Sequence, residues 1–251
     1  MKRRDLIIIL AILPFLFAAC GKSDGIVQKH FKDEKDLFGT YVVEFDIYLE
    51  NVNYSKKTAG LIERLIYSNM GFDDYIANAQ NKFIGPVTND DFPPLTGGDG
   101  EAYFYKSFFN ESYKIINHNK SFIVIEYNEY YYYTGMAHGN YRTNYFVIDI
   151  SQEKILDVSD LMNPVDEDSL KELITNEYEI NYFLRQNIWP PDTININAGN
   201  VVLLWNTYTI TPYSDGLIGL VLYEDKYLTD KGKALQALAE LSLRKGRFLW
   251  I

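Results

Sequence analysis

From Ser112 to Ile150 the chain is a succession of apolar and aromatic runs, SYKIIN, FIVIEYNEYYYY and TNYFVIDI, joined by connections too short to hold a helix. Runs that partly alternate and are rich in β-branched and aromatic residues read as strands. The polar turn HNKS (118–121) makes the first two a hairpin, with residues 121–133 as its long second arm. Strands that follow one another directly pair antiparallel, so this stretch predicts a β-meander. A polar turn, SQEK, and the run ILDV continue it. TININ, the turn AGN and VVLLWNTYTI predict a second hairpin, from which Pro212–Gly216 turns into LIGLVLY.

Helical periodicity appears only around this β-rich centre. TYVVEFDIYL (40–49) is a strand, and SKKTAGLIERLIYSNMG (55–71) places Ala59, Ile62, Leu65, Ile66 and Met70 at three-to-four spacing, ending at Gly71. A second helical stretch follows in DDYIANAQNKF. Residues 84–100, dense in Pro, Gly and Asp, predict a loop and the one internal boundary. Further on, Ser159 is expected to cap a short DLM turn. Residues 166–186 form an acid-started helix with Leu170, Leu173, Ile174, Tyr178 and Tyr182 on one face, stopped by Trp189-Pro190-Pro191. Thr229 caps a closing helix. Strands and helices come in runs, so the expected class is α+β: a mostly antiparallel sheet of meander and hairpins packed against a few helices, with a small N-terminal strand–helix lobe over 37–95 and a larger domain over 100–251.

The first residues, MKRRDLIIILAILPFLFAAC, carry a basic start, an apolar run from Leu6 to Phe17 and the small pair Ala18-Ala19, which is the pattern of a signal peptide over 1–19. The run is short of the roughly 20 apolar residues a spanning helix needs. Cys20, the sole cysteine, follows directly and resembles the acylated cysteine of a bacterial lipoprotein, with Phe17 where leucine is commonest. Lipidation of Cys20 would tether the chain to the outer side of a bacterial membrane, with 20–36 as a polar tether. Removing the leader takes the formal net charge from −10 to −12, since it carries Lys2, Arg3 and Arg4 against Asp5. No basic stripe is left, which excludes nucleic acid and electrostatic docking on anionic lipid. One cysteine forms no internal disulfide, so the fold rests on its core.

The usual catalytic signatures are absent from the sequence. His30, His118 and His138 are far apart, so no HExxH exists, and there is no GxSxG, no SxxK and no P-loop. Asp90, Asp91, Asp99 and Glu101 lack EF-hand spacing and read as a solvated loop. No metal, cofactor or catalytic residue is assigned. His138, between Gly135 and Gly139 on a loop joining two strands, is either a presented functional residue or part of a turn whose residues tolerate positive φ. In the run Tyr130–Tyr133 the side chains alternate, so one pair can pack on the core while the other offers rigid, amphipathic contacts to a protein or a sugar.

Two blocks, GMAHGNYRTNYFVIDISQEKILDVSDLM (135–162) and VVLLWNTYTITPYSDGLIGLVL (201–222), with Tyr208, Ile210, Pro212, Tyr213 and Gly216 in the second, resemble a bacterial extracytoplasmic domain of largely unknown function. That domain forms the outer part of lysozyme-responsive anti-sigma factors and also accompanies polysaccharide deacetylase domains. The resemblance covers about residues 110–240 and implies a binding or sensing ectodomain. Only five residues precede the apolar run, so sigma-factor regulation is not expected, and the deacetylase motifs are missing. The expectation is therefore a lipid-anchored envelope protein whose ligand is a lysozyme-like protein or a cell-wall glycan, contacted by Tyr131, Tyr133, His138, Asn140 and Tyr213. Two other readings stay open: a wall-polysaccharide enzyme in which Asp149 or Asp215 converges on His138, and a passive structural lipoprotein.

Overall fold

The computed structural model describes residues 25–244 except 38–40, 54, 85–94, 97–101, 104, 135, 179–187, 198–199 and 224. The leader, Cys20 and most of the 84–100 loop lie outside the described residues. Among the described residues no helix is long and apolar enough to cross a membrane.

The molecule is α+β, with eleven described strands and five described helices. Strands β1 (Ile26–Leu37), β2 (Tyr41–Val52), β5 (Tyr105–His118), β6 (Phe122–Tyr132), β7 (Asn140–Asp149) and β8 (Lys154–Leu156) form one six-stranded sheet in the order β1-β2-β5-β6-β7-β8. All its pairings are antiparallel except β2–β5, which run parallel from Tyr41↔Tyr105 to Leu49↔Tyr113. The predicted meander is β5 to β8. Helices α1 (Lys56–Leu65) and α2 (Phe72–Ile84) cross from β2 towards β5, and β3 (Leu95–Thr96) pairs with β4 (Ala102–Tyr103) on the way. Ser55 caps α1, its Oγ accepting from the Thr58 N–H. The helix stops at Leu65 rather than at Gly71, because Ser68 and Asn69 turn into positive φ.

Two expectations are corrected here. Residues 26–37 are not tether: IVQKHFKDEKDL pairs with β2 along its whole length. It is an outer strand wet on both faces, so it carries no apolar alternation, and its charges suit an edge that must not pair further. The strand and helices of the expected N-terminal lobe are also not set apart, since β2 is hydrogen-bonded into the same sheet as the meander.

The sheet separates two apolar cores. On one face Val43, Phe45, Ile47, Phe109, Tyr113, Ile123, Ile125 and Ile148 pack under α1 and α2. On the other, Phe122, Val124 and Val147 meet a three-stranded antiparallel sheet, β9 (Thr193–Asn197), β10 (Asn200–Trp205) and β11 (Ile218–Leu222), order β11-β10-β9. Helices α3 (Val158–Leu161), α4 (Glu167–Tyr178) and α5 (Asp230–Arg244) complete that side. Asp157 rather than Ser159 is the N-cap of α3, with the Asp160 carboxylate accepting from the Asp157 N–H. Leu170 and Ile174 of α4 are buried, whereas Leu173 is 45% exposed, so the apolar face is narrower than its sequence suggests. Thr229 caps α5 as expected, accepting from the Gly232 N–H.

Because β8 pairs only with Val147–Asp149, the rest of the β7 edge needs other partners. Side chains of the smaller sheet supply them. Asn206 Oδ1 accepts from the Thr143 N–H at 2.8 Å, and Thr193 Oγ1 accepts from the Tyr145 N–H at 2.8 Å while donating to its carbonyl at 3.1 Å. A partly buried N–H left unpaired costs about 1–3 kcal/mol. Asn206→Ala is therefore expected to lower the unfolding free energy by about 2 kcal/mol in urea titration, and Asn206→Asp, which keeps the acceptor, by less.

Candidate functional site

Inward-facing positions of β5, β6 and β7 stand opposite one another in three cross-strand rows. These are Phe109–Tyr131–Asn140, Glu111–Glu129–Arg142 and Tyr113–Tyr127–Asn144. Above them the face of α2 bearing Tyr75, Asn78, Ala79, Lys82 and Phe83 forms a roof, three-to-four spacing bringing those residues to one side. Between sheet and roof lies a cleft of about 520 Å³. Its walls are largely aromatic. Tyr133 stacks on Phe83 with centroids 4.4 Å apart, Tyr131 meets Tyr133 edge-on, and Tyr75, Tyr113 and Tyr127 surround the closed end.

At the floor sits Glu111, 7% exposed, with Oε2 lacking any hydrogen-bond partner. Burial pushes its carboxyl up to about 7, against the pull of the Tyr75 and Tyr127 hydroxyls. Burial and then the nearby Glu111 raise the hydroxyls of Tyr75, Tyr113 and Tyr127 above the ordinary tyrosine value. Glu129, one row-mate away, accepts from the Tyr127 hydroxyl at 2.7 Å. The contrast with Glu50, buried to 8% on β2, is direct. Its two oxygens accept from Gln28 Nε2 (3.0 Å), the Tyr48 hydroxyl (2.7 Å) and the Ile115 N–H at the β5 bulge (2.8 Å), so it is fully used by the fold. Glu111, which lines the cleft, keeps one buried oxygen without a hydrogen-bond partner.

Beside the cleft, and sharing Glu129, Tyr131 and Arg142 with it, runs a polar groove of about 310 Å³ lined by Asn140, Asn144, Asn206, Thr207 and Thr209. Asn140 Nδ2 donates to the Tyr131 hydroxyl at 2.8 Å, and Thr207 Oγ1 donates to Asn140 Oδ1 at 3.0 Å.

Of the expected contact residues, Tyr131 and Tyr133 line the cleft and Asn140 the groove. All are half-buried, and it is Tyr130, 38% exposed, that faces solvent. His138 sits on the β6–β7 loop, its Nδ1 at 3.1 Å from the Gly139 carbonyl and its Nε2 at 3.2 Å from the Tyr208 hydroxyl. Gly139 does not adopt positive φ. A Cβ there would meet the Tyr130 ring, so the glycine lets that ring lie close over the loop rather than supplying left-handed backbone. Tyr213 belongs to a 3-10 turn, Tyr213–Asp215, and its side chain lies outside the described set.

Asp149 does not converge on His138. It closes the far end of β7, roughly 30 Å along the strand from Asn140. There its carboxylate accepts from Ser151, Gln152 and Lys231. Burial opposes its charge, but these donors prevail and hold it at about 2. Asp215 follows the β10 turn, where Leu217 N–H donates to the Tyr141 hydroxyl. No group of three or more metal-ligating side chains occurs among the described residues.

Glu111, Tyr113 and Tyr127 were not singled out from the sequence. The signal was present in FFNESYKI: read as a strand, it puts a glutamate at an inward position between Phe109 and Tyr113. The linkage sign follows from the raised carboxyl. Glu111 binds its proton more tightly folded than unfolded, so its contribution to stability is present below about pH 4.5 and is lost as pH rises through about 7. The loss is on the order of 3 kcal/mol. Glu111→Gln is expected to match the parent in urea unfolding at pH 4.5 and to exceed it by roughly that amount at pH 8.

No protein-family model and no curated protein matches the sequence. The fold is shared with solved structures of the DUF3298 family. A member from Bacteroides fragilis aligns over 86% of this chain and 97% of its own, with 14% identity and a TM-score of 0.59. A protein from Pseudomonas aeruginosa PAO1 aligns over 84% and 97%, with 18% identity and a TM-score of 0.51. The chain thus has the fold of a domain family of unknown function.

Proposed function

We propose that this chain is an envelope binding protein, held to a bacterial membrane by a lipid on Cys20, whose ligand is a cell-wall glycan seated in the cleft between α2 and strands β5–β7. The observation that carries the reading is Glu111: a buried carboxyl with an unused oxygen, set in a pocket walled by tyrosines and phenylalanine. An unsatisfied buried polar atom is costly to a fold and is tolerated where a ligand supplies the partner. Sugar rings present the matching surfaces, apolar faces for aromatic walls and hydroxyls for carboxylates and amides. A cleft of about 520 Å³ suits a saccharide better than the broad patch a protein partner covers. The lipid anchor and the envelope location rest on the leader sequence alone.

Isothermal titration of the detergent-solubilised full chain with tetrasaccharides released from peptidoglycan tests the reading. Binding is expected, weakened about tenfold by Tyr131→Ala, which removes one aromatic wall worth on the order of 1–2 kcal/mol. Lysozyme binding without any glycan binding would transfer the ligand to the protein class.

A further inference from the structure

The aromatic cleft and the polar groove adjoin, since Glu129, Tyr131 and Arg142 line both. Strand β7 carries the wall from one to the other: its inward positions Asn140, Arg142 and Asn144 follow each other about 7 Å apart. Hydrogen bonds tie the junction together. Thr207 Oγ1 donates to Asn140 Oδ1, and Asn140 Nδ2 donates to the Tyr131 hydroxyl. A ring of the cleft wall is thereby held, through β7, from the turn that follows β10. The two volumes, about 520 and about 310 Å³, are each of the size that houses a small ligand.

Polar groups around the junction keep hydrogen-bonding capacity. Asn144 Oδ1 accepts from Asn206 Nδ2 at 3.2 Å, and Glu129 Oε2 accepts from the Tyr127 hydroxyl. The Asn144 amide N–H groups, the Arg142 guanidinium and the second Glu129 oxygen form no hydrogen bond or ion pair among the described residues. Donors and acceptors side by side match the hydroxyls and ring substituents of a sugar chain. Charge is a poor basis for selection here. The joint lining holds Glu111, Glu129 and Asp192 with Lys82 and Arg142 among them, so neither sign dominates. We infer that cleft and groove are adjoining subsites for an oligosaccharide of at least two rings, recognised by length rather than charge. One ring lies against Tyr131 and Tyr133, the next beside Asn144 and Thr207, and Arg142 donates at the linkage between them. This rests on the glycan reading above and specifies the chain length that the site selects.

Uncharged chitin saccharides of one, two and four rings test it, titrated into the full chain in detergent and followed by NMR of the ligand. Affinity is expected to rise at least about tenfold from N-acetylglucosamine to chitotetraose, because a ring held in one subsite brings its neighbour to the other. Raising sodium chloride from about 0.05 to 0.5 M should move it less than about twofold. Asn144→Ala should bring chitotetraose to within about threefold of the monosaccharide and leave the monosaccharide unchanged. Thr207→Val alters the groove from the other layer and should do the same, so a folding defect in one variant leaves the other as the test. Tyr133→Ala, in the cleft, should weaken every member of the series. A monosaccharide bound as tightly as chitotetraose would leave the glycan reading standing and overturn the two subsites. A length preference that survives both groove variants would remove the groove from the site. Binding of the peptidoglycan tetrasaccharide but of no chitin saccharide would overturn recognition without regard to charge. Binding of neither would overturn the glycan reading itself.

Discussion

The parallel pairing of β2 with β5 is the constraint from which the rest of the architecture follows. Two parallel neighbours cannot be joined by a tight turn, so the chain must travel back along the sheet before β5 begins. It does so through α1 and α2, and their apolar faces settle on the side of the sheet that carries Phe45, Phe109 and Tyr113. The crossover thereby supplies a roof to one face of β5–β7. The opposite face is left to the three-stranded sheet. Had β2 paired antiparallel, a turn would have sufficed and the cleft would have had no ceiling.

How the sheet ends is governed by the same economy of backbone groups. Strand β1 finishes one edge with twelve residues wet on both faces and rich in Lys, Asp and Glu. At the other edge β8 is only three residues long, and Asn206 and Thr193 take over by imitating a strand with side-chain donors and acceptors. These bonds also fix where the smaller sheet sits, so the polar groove has a wall from each layer: Asn140 and Asn144 from β7, Asn206 and Thr207 from the end of β10.

The meander was legible because its strands are half-buried and therefore alternate, as FIVIEY and NYFVID do. Thr229 could be named as a cap because a hydroxyl before an apolar-periodic run has one dominant use, whereas Ser159 was displaced by Asp157 two residues earlier. Strand β1 was not legible, since an edge exposed on both faces has no pattern to show and IVQKHFKDEKDL reads as a solvated segment. Gly139 was attributed to backbone freedom, but the Tyr130 ring lying over it depends on a partner nine residues away. Tyr131, Tyr133 and Asn140 came forward from the sequence through their hairpin, and Glu111 did not. Its role needs the crossover helix above it, and local sequence does not announce which helix covers which strand. The resemblance seen in residues 135–162 and 201–222 agrees with the shared DUF3298 fold, although those blocks trace β7, α3 and the β10 turn more than the cleft.

That residues 26–37 are strand rather than tether bears on the proposed anchoring at Cys20. Under the proposed anchoring at Cys20, the slack before the sheet shrinks from seventeen residues to about six, a reach of at most about 20 Å. The domain is then held close to the lipid surface instead of ranging above it. Strand register also sets its orientation, because Ile26 lies at the end of the sheet where β2 reaches Val52. The β6–β7 hairpin tip, with Tyr133 and His138, lies at the opposite end, beyond Phe108 and Tyr132. A strand of eleven residues is about 36 Å long. With an anchor at Cys20 the tyrosine–histidine tip would stand outermost, roughly the height of the sheet away from Ile26.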